Sequence, residues 1–213
     1  MPEHAPKLHA ARSGGPTDLP PVGAPPKTKA LTQEEMALLF RACGVKAGLR
    51  HADRNHALLA VAYSTAARGS EICGMNWQGV RWGASRLLYW SPKVSRWFDS
   101  PLHQKAVSGL QRLLRGCGEF SPTGPIFRSQ KGGALTTSGL RDLFKKLARD
   151  AGIDPARVHP HVFRATRLTH LIEAGHSLAI VQRLAGHRSV TTTQRYIHLA
   201  QGAVDDAATG SWF

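Results

Sequence analysis

The chain has 213 residues, with 28 Lys or Arg against 14 Asp or Glu and a formal net charge of +14. That length suits one well-packed domain with an extension, and a cationic surplus spread along the whole sequence favours a polyanionic partner held by salt-dependent phosphate contacts. Three isolated cysteines, Cys43, Cys73 and Cys117, argue against a disulfide frame or a zinc site; without an apolar leader or a run of the ~20 apolar residues that a membrane span needs, a protein of the cytoplasm or nucleoid with no membrane contact is expected.

Residues 1–30 carry Gly14-Gly15-Pro16, Pro20-Pro21 and Pro25-Pro26 and end near Lys27 and Lys29. Too few apolar residues occur there to offset ordering entropy, so a flexible basic arm is expected. Thr32-Gln33-Glu34-Glu35 has the form of a capping box, and the apolar Met36, Leu38, Leu39 and Phe40 that follow predict a first helix. Leu58, Leu59, Val61 and Ala62 give a buried stripe to a second helix over Arg54–Thr65, and Glu71, Ile72 and Met75 suggest a short third one. The period then changes. Short aromatic runs at Arg86–Trp90 and Trp97–Leu102, with a weaker one at Val80–Trp82, predict a small antiparallel sheet whose connecting turn contains Lys93. Helical spacing returns at His103–Arg115, at Thr136–Ala151 before Gly152, at Pro160–Ala174, at Ser177–Ala185, and in a last helix carrying Tyr196. The expected fold class is α+β, mainly helical with a small antiparallel β-sheet.

The chemistry concentrates near the C-terminus. His161 and Arg164 stand at i and i+3, so on one helix face both can reach one phosphate. Arginine brings a planar fork matched to paired phosphate oxygens and stays charged at any working pH. Gly186 frees the backbone to turn sharply and aim His187 into a cleft. Tyr196 follows His187 by nine positions, after the polar run Thr191-Thr192-Thr193-Gln194-Arg195, which argues against a core role for it. A tyrosine hydroxyl among Arg and His can attack a phosphodiester without a metal, the cations stabilising the charge that grows on the non-bridging oxygens. Tyr63 and Tyr89, in apolar surroundings, are poorer nucleophiles.

The segment from His159-Pro160-His161-Val162-Phe163-Arg164 to Tyr196-Ile197-His198-Leu199 closely resembles the C-terminal half of the tyrosine recombinases of the phage-integrase family. The likeness includes Leu184-Ala185-Gly186-His187 and, upstream, Ser64-Thr65-Ala66-Ala67-Arg68-Gly69-Ser70-Glu71, an Arg followed three positions later by Glu. It runs from about Leu31 to Leu199. The resemblance implies a catalytic domain over 31–199, flanked by the arm and by a tail over 200–213 able to dock on a neighbouring protomer through Val204, Trp212 and Phe213.

It also implies roles. Tyr196 would be the nucleophile, forming a 3′-phosphotyrosyl bond and releasing a 5′-hydroxyl. Arg68 and Arg164 would clamp the scissile phosphate, His161 would assist proton transfer from the tyrosine, and His187 would hydrogen-bond the phosphate. Lys93 would protonate the leaving oxygen, with Lys131 as its rival on another basic turn, and Glu71 would position the basic groups behind them. The partners implied are double-stranded DNA, further copies of the chain in a tetramer, and an accessory DNA-binding protein; no cofactor and no metal are implied. Ala165 departs from a second His common in the family, and the turn Ser91–Arg96 lacks its Gly-rich form. The arm stands where integrases carry an N-terminal DNA-binding domain, which reads as a minimal recombinase or a truncated product. Other readings are a DNA-binding remnant, a type IB topoisomerase-like relaxing activity, and a metal hydrolase built on His159, His161 and His187, whose ligand set is incomplete.

Overall fold

The computed structural model describes residues 30–45, 49–118, 120–187, 190–194 and 196. The expected arm over 1–29, the tail over 200–213 and the stretch Ile197–Leu199 lie outside the described residues. Eight helices and one sheet make up the described part, in the order α1 (Gln33–Val45), α2 (Leu49–Thr65), α3 (Gly69–Cys73), β1 (Val80–Arg81), β2 (Arg86–Ser91), β3 (Arg96–Pro101), α4 (Gln104–Arg115), α5 (Thr137–Asp150), α6 (Pro160–Glu173), α7 (Leu178–Ala185) and α8 (Val190–Gln194). The mainly helical α+β class is as the sequence implies. None of these helices is long and apolar enough to cross a membrane.

The capping box forms reciprocally: Thr32 N–H donates to Glu35 Oε2 at 2.9 Å and Glu35 N–H to Thr32 Oγ1 at 3.2 Å. The next helix starts at Leu49, five residues before the expected Arg54. Its first turn lacks the apolar stripe that marks a helix in sequence, since continuous burial begins only at Ala57. From Ala57 to Ala62 every residue is buried, because α2 is the central helix, with α1, α4 and α6 packed around it. Gly109 on α4 permits the closest approach; a Cβ there would lie 3.1 Å from Ala57 Cα.

Gly74 ends α3, so Met75, expected within it, runs past the helix and accepts a hydrogen bond from Ile126 N–H at 3.0 Å. The sheet is antiparallel in the order β1-β2-β3, with Tyr89 opposite Phe98, Trp90 opposite Trp97 and Ser91 opposite Arg96. The third strand begins and ends one residue earlier than its apolar pattern implies, because pairing resumes at Arg96 directly after the turn. The first strand stops at Arg81, and Trp82 enters a 3₁₀ turn instead. Alternation buries Leu87, Tyr89 and Ser91 and leaves Trp90 and Trp97 outside, edge to face at 5.5 Å.

Side-chain caps start the later helices. Thr136 Oγ1 accepts from Gly139 N–H at 3.1 Å, and His159 Nδ1 accepts from Val162 N–H, with Pro160 in the first turn of α6. One apolar cluster joins α1 to α5 and the inner face of the sheet. A second, smaller one joins Ala165, Leu168 and Leu171 of α6 to Val181 and Ala185 of α7, with Ala66 and Tyr196. A buried network ties the start of the domain to α6. Leu31 N–H donates to Thr166 Oγ1 at 3.0 Å, His170 Nε2–H to Leu31 O at 2.9 Å, and Tyr63 O–H to His170 Nδ1 at 2.7 Å. Burial pushes the Cys43 thiol up to about 12 and Cys73 to about 11, so both are inert at neutral pH.

Candidate active site

Two breaks in the helical scaffold shape the site. The first follows α2, where Ala66 takes a left-handed conformation (φ 51°) rarely adopted by a residue with a Cβ. Thr65 Oγ1 accepts from Ala67 N–H at 3.2 Å and helps to hold this bend. Beyond it Arg68 caps α3. Its backbone N–H donates to Glu71 Oε2 at 2.6 Å and its Nη1 to Glu71 Oε1 at 2.9 Å. Glu71 is 2% exposed and also accepts from Ser91 Oγ at 2.5 Å. One buried carboxylate therefore joins the guanidinium of Arg68 to the last residue of β2, next to the turn that holds Lys93.

The second break is at Gly186, which ends α7 with φ 63°. His187 N–H returns to Gln182 O at 3.2 Å, closing the helix end. Phe98 of β3 packs against Gly186, with the Arg96 guanidinium 4.4 Å above the Phe98 ring. A Cβ at 186 would overlap that ring. Gly186→Ala is therefore expected to lose on the order of 1–3 kcal/mol through φ alone, and more through the clash. Thermal unfolding checks this; the double variant with Phe98→Ala should lose less than the sum of its parts.

Between the two breaks lies Arg164, 4% exposed on α6. Its Nη1 donates to Ala66 O at 2.5 Å and its Nη2 to Ala185 O at 2.5 Å, so the fork rests on both bends. Nη2 also donates to His187 Nε2 at 3.1 Å. His187 then carries its proton on Nδ1 and donates it to Thr193 Oγ1 at 2.9 Å. Burial first, and then the Arg68 charge, draw the Arg164 pKa down from the usual arginine value. Two cations thus already crowd one space, and an anion between them would relieve both.

Tyr196 is 4% exposed and packs in the smaller apolar cluster, its ring nearly parallel to that of His187 at 6.2 Å and 7°. The polar run before it argues against a core position, but in the fold the ring is core while the residue still borders the cavity that Arg68 and Arg164 line. Nor does Tyr196 lie in a helix. The helix α8 is described over Val190–Gln194, and Tyr196 N–H closes a turn on Thr193 O at 3.0 Å. Among the described residues no hydrogen bond engages the Tyr196 hydroxyl.

A single cavity of about 890 Å³ is bordered by Arg68, Lys93, His161, Arg164, His187 and Tyr196 together. Every expected site residue except Glu71 lines it, and Glu71 lies behind Arg68. Lys93 is exposed in the turn over residues 92–95, whereas its rival Lys131 sits between Gln130 and Gly132, which border a separate cavity of about 330 Å³. Tyr63 and Tyr89 border neither. Burial raises both their pKa values, that of Tyr89 to about 12. Among the described residues no three His, Cys, Asp or Glu side chains are grouped to hold a metal ion, and the His159 Nδ1 is occupied as a helix cap.

Sequence reasoning missed Ser91, Thr193 and Phe98, which hold Glu71, His187 and the Gly186 turn. Ser91 could have been found from strand alternation, since it falls on the inward face with Leu87 and Tyr89. Thr193 and Phe98 had no such signal, because each meets its partner only through tertiary packing.

A mainly helical domain with a three-stranded sheet, and a cavity that gathers Arg, His, Lys and Tyr from both halves of the chain, defines the class. The family model for the phage integrase family matches residues 29–202, and the chain belongs to that family. It is 36% identical over 146 residues to tyrosine recombinase XerC of Xylella fastidiosa (strain 9a5c), covering 68% of this chain and 49% of that protein. It is 33% identical over 205 residues to tyrosine recombinase XerD of Mycobacterium leprae (strain TN), covering 90% of this chain and 63% of that one. The crystal structure of XerA recombinase superposes with a TM-score of 0.73 at 26% identity, over 84% of this chain and 64% of that one. The chain thus spans between about half and two thirds of the length of these relatives.

Proposed function

We propose that this chain is the cutting and rejoining part of a site-specific DNA recombinase. The observation that carries this reading is that six side chains, separated by up to 128 positions in sequence, border one cavity in the combination that metal-free phosphoryl transfer needs. In this reading Tyr196 Oη attacks the scissile phosphorus. The bond from Oη to phosphorus forms as the bond from phosphorus to O5′ breaks, leaving a 3′-phosphotyrosyl link and a free 5′-hydroxyl. The tyrosine proton passes to His161, and Lys93 Nζ gives a proton to the departing O5′. Arg68 and Arg164 hold the non-bridging oxygens, whose charge grows in the transition state. Once the phosphate enters, His187 turns from Arg164 and donates from Nε2–H to a phosphate oxygen, its proton having moved to Nε2 while Nδ1 accepts from Thr193 Oγ1–H. Glu71 acts as a positioning residue for Arg68 and, through Ser91, for the Lys93 turn. Rejoining is the reverse attack by a 5′-hydroxyl, so the phosphotyrosine conserves the bond energy and no ATP is consumed.

The complete cavity favours this reading over an inactive DNA-binding remnant, in which nothing would hold these six groups together. Exchange between two duplexes requires several active sites, so double-stranded DNA and a tetramer of this chain are the proposed partners. An accessory DNA-binding protein would extend the contact, and the setting is the nucleoid in the cytoplasm. The test is incubation, in EDTA, with a nicked suicide duplex carrying the native site. A protein–DNA adduct that survives denaturation is expected; its absence while the duplex is bound would overturn the reading.

Lys93→Ala is expected to slow cleavage of ordinary DNA by about 10²–10⁴, the usual contribution of a general acid. A 5′-bridging phosphorothiolate should recover most of that loss, because its thiol leaves without a proton. Equal failure on both substrates would remove Lys93 from the role, and selective rescue of Lys131→Ala would transfer it.

A further inference from the structure

Lys93 has to deliver a proton to one oxygen atom, yet the turn that carries it holds itself weakly. Pro92, Lys93 and Ser95 are exposed, and Ser95 takes a left-handed conformation (φ 48°) that a residue with a Cβ rarely adopts. Among the described residues no side chain of 92–95 makes a hydrogen bond or an ion pair. A strained turn of this kind keeps one shape only when its surroundings impose it. The base of the hairpin must therefore do so.

That base is the pair Ser91 and Arg96, and each strand leads to a different arm of the phosphate site. On β2, Ser91 O–H donates to Glu71 Oε1 at 2.5 Å, and Glu71 in turn accepts from Arg68. On β3, the Arg96 guanidinium lies over the Phe98 ring, and that ring packs against Gly186, the residue before His187. Tyr89, opposite Phe98 in the ladder, braces it with a nearly parallel ring at 5.7 Å and 13°. The fit at Gly186 has no slack: Arg96 Nη2 lies 3.1 Å from the point where a Cβ at 186 would stand, and the Phe98 ring would overlap it.

The two sides of this contact are unequally secured. The end of α7 is fixed without Phe98, since Gly186 N–H donates to Arg183 O at 3.2 Å, Gln182 Nε2 to His187 O at 3.1 Å and Arg164 Nη2 to Ala185 O. The His187 ring has Arg164 and Thr193. The turn end of the hairpin is held through Ser91 and Phe98. Removing the Phe98 ring therefore frees the hairpin and leaves His187 in place.

We infer that Phe98 is a positioning residue for the general acid: its ring, braced by Tyr89 and covered by Arg96, fixes the β2–β3 hairpin on the Gly186 end of α7 and so sets Lys93 Nζ against the departing O5′. The inference rests on the role given to Lys93 in the cleavage reading above and adds the side chain that aims it. The proton still moves from Lys93 Nζ to O5′, and Phe98 touches neither atom.

The test uses the full chain and two suicide duplexes of one sequence, with an ordinary or a 5′-bridging phosphorothiolate at the scissile position. Adduct formation is timed at saturating DNA and at temperatures where circular dichroism shows each variant folded. Phe98→Ala is expected to cleave ordinary DNA about 10²-fold more slowly, the scale of a catalytic group displaced by ~1 Å, and to recover most of that loss on the phosphorothiolate. Phe98→Leu, which keeps an apolar contact with Gly186, should lose less and recover in the same way. If the Ala variant does not fold, the ratio of the two rates in Phe98→Leu decides. Combined with Lys93→Ala, Phe98→Ala should slow ordinary cleavage no further than Lys93→Ala alone, because both act on one proton transfer. Equal loss on both duplexes, multiplied losses in the double variant, or parent rates in Phe98→Ala would each overturn the inference, while recovery of Lys93→Ala on the phosphorothiolate would leave the cleavage reading intact. Failure of Lys93→Ala itself to recover would overturn the general-acid assignment and this inference together.

Discussion

Tyr196→Phe is expected to abolish the covalent adduct while folding and DNA affinity remain close to those of the parent. The Tyr196 ring is held by Ala66, Ala165, Leu168, Leu171, Val181 and Ala185, contacts that a phenyl ring reproduces. Its hydroxyl has no hydrogen-bond partner among the described residues, so removing it leaves no buried group unpaired. Stability should change by less than about 1 kcal/mol, whereas loss of a nucleophile costs about 10⁶ in rate. The comparison is a denaturing gel for the adduct beside thermal unfolding and a binding titration. An adduct formed by the Phe variant would mean that another group attacks, and the assignment of the other five cavity residues would lose its centre.

Much of this site could be read from the sequence because its residues sit at local breaks that sequence marks well. Gly186 before His187 signals a helix end, and that end is where the chain turns. Pro160 after His159 signals a helix start, and His159 is indeed the cap. Lys93 could be assigned to a turn because the aromatic runs on either side alternate as strands. Other features left no local trace. The first two turns of α2 carry His51, Asp53 and Arg54 instead of an apolar stripe, and Arg54 donates to Arg128 O, 74 positions away, at 3.2 Å. The burial of Tyr196 comes from helices α6 and α7, while its immediate neighbours in sequence are polar. Ala66 is the clearest case. Nothing in Ser64-Thr65-Ala66-Ala67 announces a left-handed residue, yet that bend turns the Ala66 carbonyl toward Arg164. Contacts that couple two distant breaks are properties of the packed domain, and local pattern carries no record of them.

Arg164→Lys should slow cleavage by ~10²–10³, the scale for one lost contact to developing transition-state charge. It also separates two functions of the side chain. The guanidinium holds Ala66 O and Ala185 O through different nitrogens, and meets His187 through the second of these. Of its five N–H groups, those three bonds leave the rest of the fork for phosphate oxygens. An ammonium is a single point with three donors, so it cannot reach both carbonyls and a phosphate at once. One buried carbonyl then goes unpaired, at a cost of about 1–3 kcal/mol, and His187 loses one of the contacts that fix its ring, keeping Thr193. The loss of stability should appear as a lower unfolding midpoint in the absence of DNA. The loss of rate should persist at temperatures where the variant is fully folded, and at DNA concentrations that saturate it. If the fully folded, saturated Lys variant cleaves at the parent rate, Arg164 holds the two bends together and takes no part in binding the transition state. The phosphate clamp would then fall to Arg68, with Glu71 behind it.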